Sequence, residues 1–256
     1  MVDLYDKFNI LRYDNGKKKE IEDDIIKEFP LQIMVNDKNV VTLVCSPQYM
    51  KDLAVGYLFT EGFIDKNDFE VKKTVENRIN VITAKKKEGI ELAHRIITSG
   101  CGKSTIFTEL DGRKIKKVRS RVKVSVDNVF AAVKKLYQES KLFQKTGGVH
   151  NSLIKDCYSD ELIFREDIGR HNTVDKLVGN LIIKNKKVEN KLLVISGRIS
   201  AEILLKTART GIPILASPSA PTDRAVQLAR RLGITLLGFV RGSRLNIYAG
   251  EQRINF

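Results

Sequence analysis

Cys101 stands between two glycines in Thr98-Ser99-Gly100-Cys101-Gly102-Lys103-Ser104. Flanking glycines leave a thiol uncrowded and its backbone adaptable. The ammonium of Lys103 favours the thiolate, the form that attacks and that carries sulfur. From these residues alone, Cys101 is either a working nucleophile or a small residue buried in a tight turn, the common fate of a lone cysteine. The Gly-Lys-Ser ending invites comparison with the phosphate-cradling pattern G-x-x-x-x-G-K-[ST]. That pattern places a glycine where Ile97 stands, so nucleotide hydrolysis through this loop is not expected. Cys45 lies in an apolar run and reads as core. Cys157, in Lys155-Asp156-Cys157-Tyr158, carries no signal.

Three other clusters can do chemistry. Thr146-Gly147-Gly148-Val149-His150 is one. The second runs from Glu166 to Lys176 and packs six ionisable side chains between an expected strand and helix. His150 and His171 can act as acid–base groups or orient a thiol. Asp167 can pair with Arg170, and Asp167 or His171 can cap a helix. The third is Phe239-Val240-Arg241-Gly242-Ser243-Arg244. Two arginines around Gly-Ser suit a phosphate, because guanidinium meets phosphate with paired donors, and Phe239 can stack on a base or pterin. The same six residues also suit an exposed hairpin turn with solvated arginines.

The formal net charge of +14 and a pI of about 9.6 attract polyanions. Nucleic acid, a nucleotide, a pyrophosphate-bearing cofactor and an acidic protein all fit, and so does plain solvation of runs such as Lys17-Lys18-Lys19 and Lys85-Lys86-Lys87. Three sparse cysteines make a poor disulfide framework and suit a reducing compartment. No CxxC pair is present, so no zinc site is expected and no metal ligands are assigned. No apolar run is long enough to span a bilayer, and the first residues lack a signal-peptide layout. A cytoplasmic protein without a membrane partner is expected.

The elements that must position these residues follow. Leu31–Val35 alternates as a strand, Asn36–Asn39 turns, and Val40–Cys45 returns. A helix is expected from Pro47 to about Glu61, ended by Gly62, with strands at Asn80–Ala84 and His94–Thr98. The basic stretch Arg113–Lys123 reads as a linker or a charged strand. Val126, Val129, Phe130, Val133, Leu136 and Tyr137 recur at helical spacing, with Asp127 as a candidate cap. Strands at Leu192–Ile195, Ile212–Leu215, Ile234–Leu237 and Leu245–Tyr248 alternate with helices at Ser200–Thr210 and Pro221–Leu232. This order implies a largely parallel sheet covered by helices. Ligands of such sheets sit at the carboxyl ends of the strands. Here those ends open into Ser196-Gly197-Arg198, Ser217-Pro218-Ser219 and Gly238-Phe239-Val240-Arg241.

Taken together the segments resemble the formate dehydrogenase accessory sulfurtransferase family, FdhD. The resemblance runs through Phe29–Asn36, Leu53–Gly62, Ser99-Gly100-Cys101-Gly102, Thr146–His150, Glu166–Asn172, Ser196-Gly197-Arg198, Ser219–Thr222 and Gly238–Gly242. It implies a sulfur carrier, a sulfurtransferase, that accepts sulfur from a cysteine desulfurase as a persulfide on Cys101. The sulfur then passes to the bis-molybdopterin guanine dinucleotide cofactor, holding molybdenum or tungsten, of formate dehydrogenase. It implies that Phe239, Val240, Arg241, Gly242, Ser243 and Arg244 bind that cofactor, with GDP or another guanine nucleotide as a mimic. Lys103, His150, Asp167 and His171 are the expected supporting residues. The implied α/β fold joins a smaller mixed α/β N-terminal domain, residues 1–121, to a cytidine-deaminase-like α/β/α domain, residues 122–256, often as a homodimer. Many relatives carry a second cysteine three places after the first; here that place is Ser104, so no disulfide relay can form within the loop. The competing class is a non-catalytic nucleotide- or nucleic-acid-binding protein, which accounts for the charge but gives Cys101 no task; sequence-specific nucleic-acid binding is not expected. A zinc deaminase is excluded by the missing H-x-E and P-C-x-x-C pattern.

Overall fold

The computed structural model describes residues 3–72, 75, 77–84, 96–97 and 115–256. Cys101, Lys103 and Ser104 lie outside the described residues, as does most of the strand expected at 94–98.

The chain opens with a ribbon, β1 (Tyr5–Asp14) paired antiparallel to β2 (Lys17–Ile26). Asn15 and Gly16 join them, both at positive φ (47° and 82°), the geometry in which a two-residue loop matches strand twist. The ribbon was not expected, because charges interrupt its alternation; the Asn-Gly pair is the signal that marks it.

A five-stranded sheet follows, in the order β5-β6-β3-β4-β7. Its strands are β3 (Phe29–Val35), β4 (Lys38–Cys45), β5 (Glu70–Lys72), β6 (Arg78–Ile82) and β7 (Ile96–Ile97). The turn between β3 and β4 uses Asn36 and Asp37, again at positive φ (49° and 65°). The helix expected from Pro47 starts later, as α1 (Met50–Thr60). Tyr49 caps it at φ 55°, a left-handed residue through which no helix continues.

β8 (Val124–Ser125) leads into α2 (Val126–Gln138). Ser125, not Asp127, caps α2: its hydroxyl accepts from Asn128 N at 3.2 Å. Then come α3 (Lys141–Thr146), β9 (His150–Asp156), β10 (Leu162–Asp167), α4 (Arg170–Ile183), β11 (Lys191–Ile195), α5 (Ala201–Thr210) and β12 (Ile214–Ala216). The chain ends with α6 (Asp223–Leu232), β13 (Thr235–Arg241), β14 (Arg244–Ala249) and β15 (Ile254–Asn255), which pairs with β8. Thr222 caps α6, so that helix begins two residues after Pro221.

The second sheet has the order β10-β9-β11-β12-β13-β14. Only β11, β12 and β13 run parallel. β9 and β10 on one side and β14 on the other are antiparallel. The expectation of a largely parallel sheet therefore holds for its centre alone, because β9–β10 and β13–β14 are hairpins rather than crossovers. Leu193, Leu215 and Leu236 face one layer with α4, α5 and α6; Leu192, Val194 and Leu237 face the other with α2. Helices thus cover both faces.

α1 crosses α4 at closest range through two glycines. A Cβ on Gly56 would collide with the Asp175 carbonyl, and one on Gly179 with the Asp52 carbonyl. One continuous apolar cluster accordingly runs from Leu31 and Ile33 through Leu53 and Leu177 to Leu236. Buried contacts therefore cross the expected division between residues 121 and 122. No helix among the described residues is long and apolar enough to cross a membrane.

Candidate functional site at the carboxyl ends of the parallel strands

The loops after β11, β12 and β13 meet and are bonded to one another. Ser217 Oγ donates to Gly197 O at 2.7 Å and accepts from Ser219 N at 3.0 Å. Phe239 N donates to Ser219 O, and Val240 N to Ser217 O, both at 3.1 Å. Arg241 Nε donates to Pro218 O at 2.8 Å. Backbone donors and carbonyls that would otherwise be stranded at the strand ends are thereby satisfied, and the loops form one floor.

The segment 239–244 is a strand end, a turn and a strand start rather than an open loop. A bulge lies between Gly238 and Arg241 in the β13–β14 ladder. Phe239 occupies it at φ 50°. A bulky residue rarely adopts that conformation, and such strain concentrates where a ligand is held. The Arg241 guanidinium lies 5.7 Å from the Phe239 ring centroid. Arg241 and Arg244 are direct ladder partners; like charges set opposite each other repel and gain from a shared anion. The side chain of Val240, in contrast, is fully buried in the core, so only its backbone can face a ligand. Gly242 and Ser243 form the exposed tip.

Beside this floor lie both histidines. His150 opens β9, which runs antiparallel to β11, so it reaches the carboxyl end of β11. Its Nδ1 is 3.4 Å from Ser196 Oγ. A Cβ on Gly197 would lie 3.3 Å from Arg170 Cδ and 3.7 Å from His150 Cε1. Burial, then the positive charges of Arg170 and His171, lower the His150 pKa below its ordinary value. The imidazole is therefore neutral near pH 7 and available as a base. His171, in the first turn of α4, places Nε2 3.0 Å from Glu202 Oε2 on α5.

Asp167 does not pair with Arg170. Its carboxylate is wholly buried and meets Lys176 Nζ at 2.6 Å. It also accepts from Ser46 N at 3.1 Å, Gly169 N at 2.9 Å and Asn172 Nδ2 at 2.8 Å. Lys176 Nζ donates in turn to Ser46 O and Glu166 O, each at 3.2 Å. The network fastens the end of β4 to the start of α4, so Asp167 positions backbone rather than substrate. Ser46 and Glu202 escape the sequence, and Lys176 enters it only as one charge of the Glu166–Lys176 cluster, because nothing local distinguishes a buried lysine or serine from an exposed one.

Neither described cysteine presents a ready thiolate. Burial, followed by the negative charge of Asp167, pushes the Cys45 thiol up to about 12. Burial and Asp156 push Cys157 up to about 11. Cys157 also sits at the opposite end of β9, beside Asn190. Among the described residues, no three His, Cys, Asp or Glu side chains are grouped to hold a metal ion.

These features define a mixed α/β protein with an arginine-bearing, aromatic-edged floor at the carboxyl ends of its parallel strands. The chain belongs to the FdhD/NarQ family, whose sequence profile matches residues 26–255. It is 40% identical over 267 aligned residues to the sulfur carrier protein FdhD of Listeria monocytogenes, covering 99% of this chain and 100% of that one. It is 38% identical over 253 residues to the protein of the same name from Bacillus subtilis, covering 96% of each. A crystal structure from Desulfotalea psychrophila, described as a formate dehydrogenase accessory protein, superposes with a TM-score of 0.82 over 99% of this chain and 100% of that one. At 23% identity it shares the fold.

Proposed function

We propose that the chain is a sulfur carrier serving formate dehydrogenase, with Cys101 as the carrier atom's anchor. The Cys101 thiolate attacks the terminal sulfur of a cysteine desulfurase persulfide. The donor S–S bond breaks, the donor cysteine leaves as thiolate, and Cys101 becomes Cys–S–SH. On delivery the new S–S bond breaks and Cys101 returns as thiolate. The terminal sulfur becomes sulfide with two electrons from the reduced metal of the acceptor, a bis-molybdopterin guanine dinucleotide bound as substrate. Lys103 steadies the anionic sulfur, and His150 or His171 moves a proton. Thiol carriage suits the cytoplasm, where cysteines stay reduced.

The observation that carries this reading is the pair Arg241 and Arg244, set opposite each other beside a strained Phe239. It suits a guanine dinucleotide better than a bare phosphate, because guanidinium groups take the pyrophosphate while the ring stacks.

Mass spectrometry after incubation with a cysteine desulfurase and cysteine tests the carrier step. A gain of about 32 Da on the peptide bearing Cys101 is expected; its absence there, or its presence on Cys45 or Cys157, overturns the assignment. GDP binding tests the floor: replacing Arg241 and Arg244 with alanine weakens it, and wild-type affinity falls with added salt.

A further inference from the structure

The basic stretch that leads into β8 takes no part in the site. From Lys117 to Lys123 its burial alternates as in a strand. Val118 and Val122 are buried, whereas Lys117, Arg119, Arg121 and Lys123 are exposed. The body of the protein holds the stretch at several points. Val118 N donates to Leu232 O at 2.8 Å, Ser120 Oγ to Glu189 O at 2.7 Å, and Arg253 Nε to Ser120 O at 3.3 Å. Leu232 ends α6 and Glu189 precedes β11. The stretch therefore lies at the amino ends of the parallel strands, at the opposite end of the sheet from the floor.

Two observations mark this edge as open. Arg119 N and Arg121 N have no hydrogen-bond partner among the described residues. Further along, the Tyr158 hydroxyl accepts from Lys123 N at 3.1 Å and closes the edge. Second, none of the four exposed cations is in an ion pair among the described residues, whereas Lys135, Lys155, Lys186 and Lys191 each hold a carboxylate.

We propose that this edge receives an extended acidic segment of a partner protein, laid beside it as an added strand. Residues opposite each other in paired strands point to the same face. Both chains repeat every two residues, about 6.6–6.8 Å. Carboxylates at alternate positions of the partner thus meet Lys117, Arg119, Arg121 and Lys123 in turn, and its carbonyls accept from Arg119 N and Arg121 N. Charges on an edge ordinarily keep other strands away. Here they keep away neutral and basic strands, a second copy of this edge included, and admit an acidic one. A nucleic-acid strand meets the charges but brings no row of peptide carbonyls for the two amides. With two amides on offer, most of the attraction is ionic, so binding is weak and falls with salt. A partner held here leaves the floor open to its ligand. The inference uses none of the residues assigned to sulfur transfer.

Fluorescence anisotropy with the full chain and a labelled peptide of about ten residues, alternating glutamate and threonine, tests the proposal. Saturable binding at low salt is expected. Arg119→Gln with Arg121→Gln weakens it about tenfold or more. Lys17→Gln with Lys18→Gln and Lys19→Gln, which removes more charge from the remote ribbon, leaves it unchanged. A peptide of the same composition with its glutamates in one block binds less tightly, and so does the alternating peptide N-methylated at every second amide. The substituted side chains are all exposed, and circular dichroism verifies that each variant folds. No binding of the alternating peptide, equal binding of the block or N-methylated peptide, equal loss in the ribbon variant, or tighter binding of a single-stranded RNA of equal charge would each overturn the assignment.

Discussion

Asp167 and Lys176 meet with carboxylate oxygen and ammonium nitrogen 2.6 Å apart, and neither side chain reaches solvent. Asp167 also accepts from Ser46 N and Gly169 N, and Lys176 donates to Ser46 O and Glu166 O. The pair is therefore a joint between the five-stranded sheet and the helix that opens on the site.

Removing one member leaves the other charged and buried. Lys176→Met is expected to cost about 3–5 kcal/mol of unfolding free energy. Adding Asp167→Asn to it recovers part of the loss, because no uncompensated charge remains. Urea denaturation of the two variants and the parent measures both; an equal or greater loss in the double variant refutes the joint.

Gly179→Ala places a methyl group into the Asp52 carbonyl of α1. The obstacle is backbone, which cannot rotate aside. The cost is expected at or above the top of the roughly 1–3 kcal/mol typical of overpacking. Ala substitution at Gly16, where no atom lies within 4 Å, meets only the milder strain of a left-handed turn. Thermal melts of the two variants should separate clearly.

Alkylation distinguishes the thiols. Cys45 is buried and its pKa lies near 12; that of Cys157 is near 11. Iodoacetamide at pH 7.5 is expected to modify the native protein on the peptide bearing Cys101, and to reach Cys45 only after unfolding. Rapid native labelling of Cys45 would contradict its burial.

His150 ties stability to pH. Its folded pKa lies below the unfolded value of 6.5, so the unfolded chain binds more protons between the two. Its contribution is complete above pH 6.5 and declines as pH falls from there through the folded pKa. Glu166, whose pKa burial raises, acts in the opposite sense above its unfolded value of 4.5. Comparing parent with His150→Gln isolates the histidine: the parent loses more stability between pH 7.5 and 5.5.

Which parts were legible follows from where side chains point. β3, β4, β11 and β12 are plain in the sequence because apolar residues alternate or run together and turn residues bound them. The three Ser, Gly and Arg loops are legible because strand–helix alternation places ligands at strand carboxyl ends. α4 is not legible. It is buried on nearly every side, with Asp175, Lys176 and Asn180 inside, so it lacks the polar face that marks a surface helix. Its charges are accounted for only by partners far along the chain: Lys206 holds Asp175 at 2.8 Å, and Asn180 Nδ2 bonds Asp52 at 3.1 Å. The pairing of β9 with β10 was missed for want of a tight turn signal. The basic run before β8 hides its alternation, since Val118, Val122 and Val124 turn inward between exposed Lys117, Arg119, Arg121 and Lys123.

The contact of Gly56 with α4 and of Gly179 with α1 has one more implication. Two backbones in touch leave no side chain between α1 and α4 at that crossing to yield or slide. The two halves of the molecule are thereby welded along a single seam, and a polypeptide severed before α2 would yield two pieces, each missing one wall of its own interior. Such pieces should be unable to persist apart, yet capable of reassembling when made together.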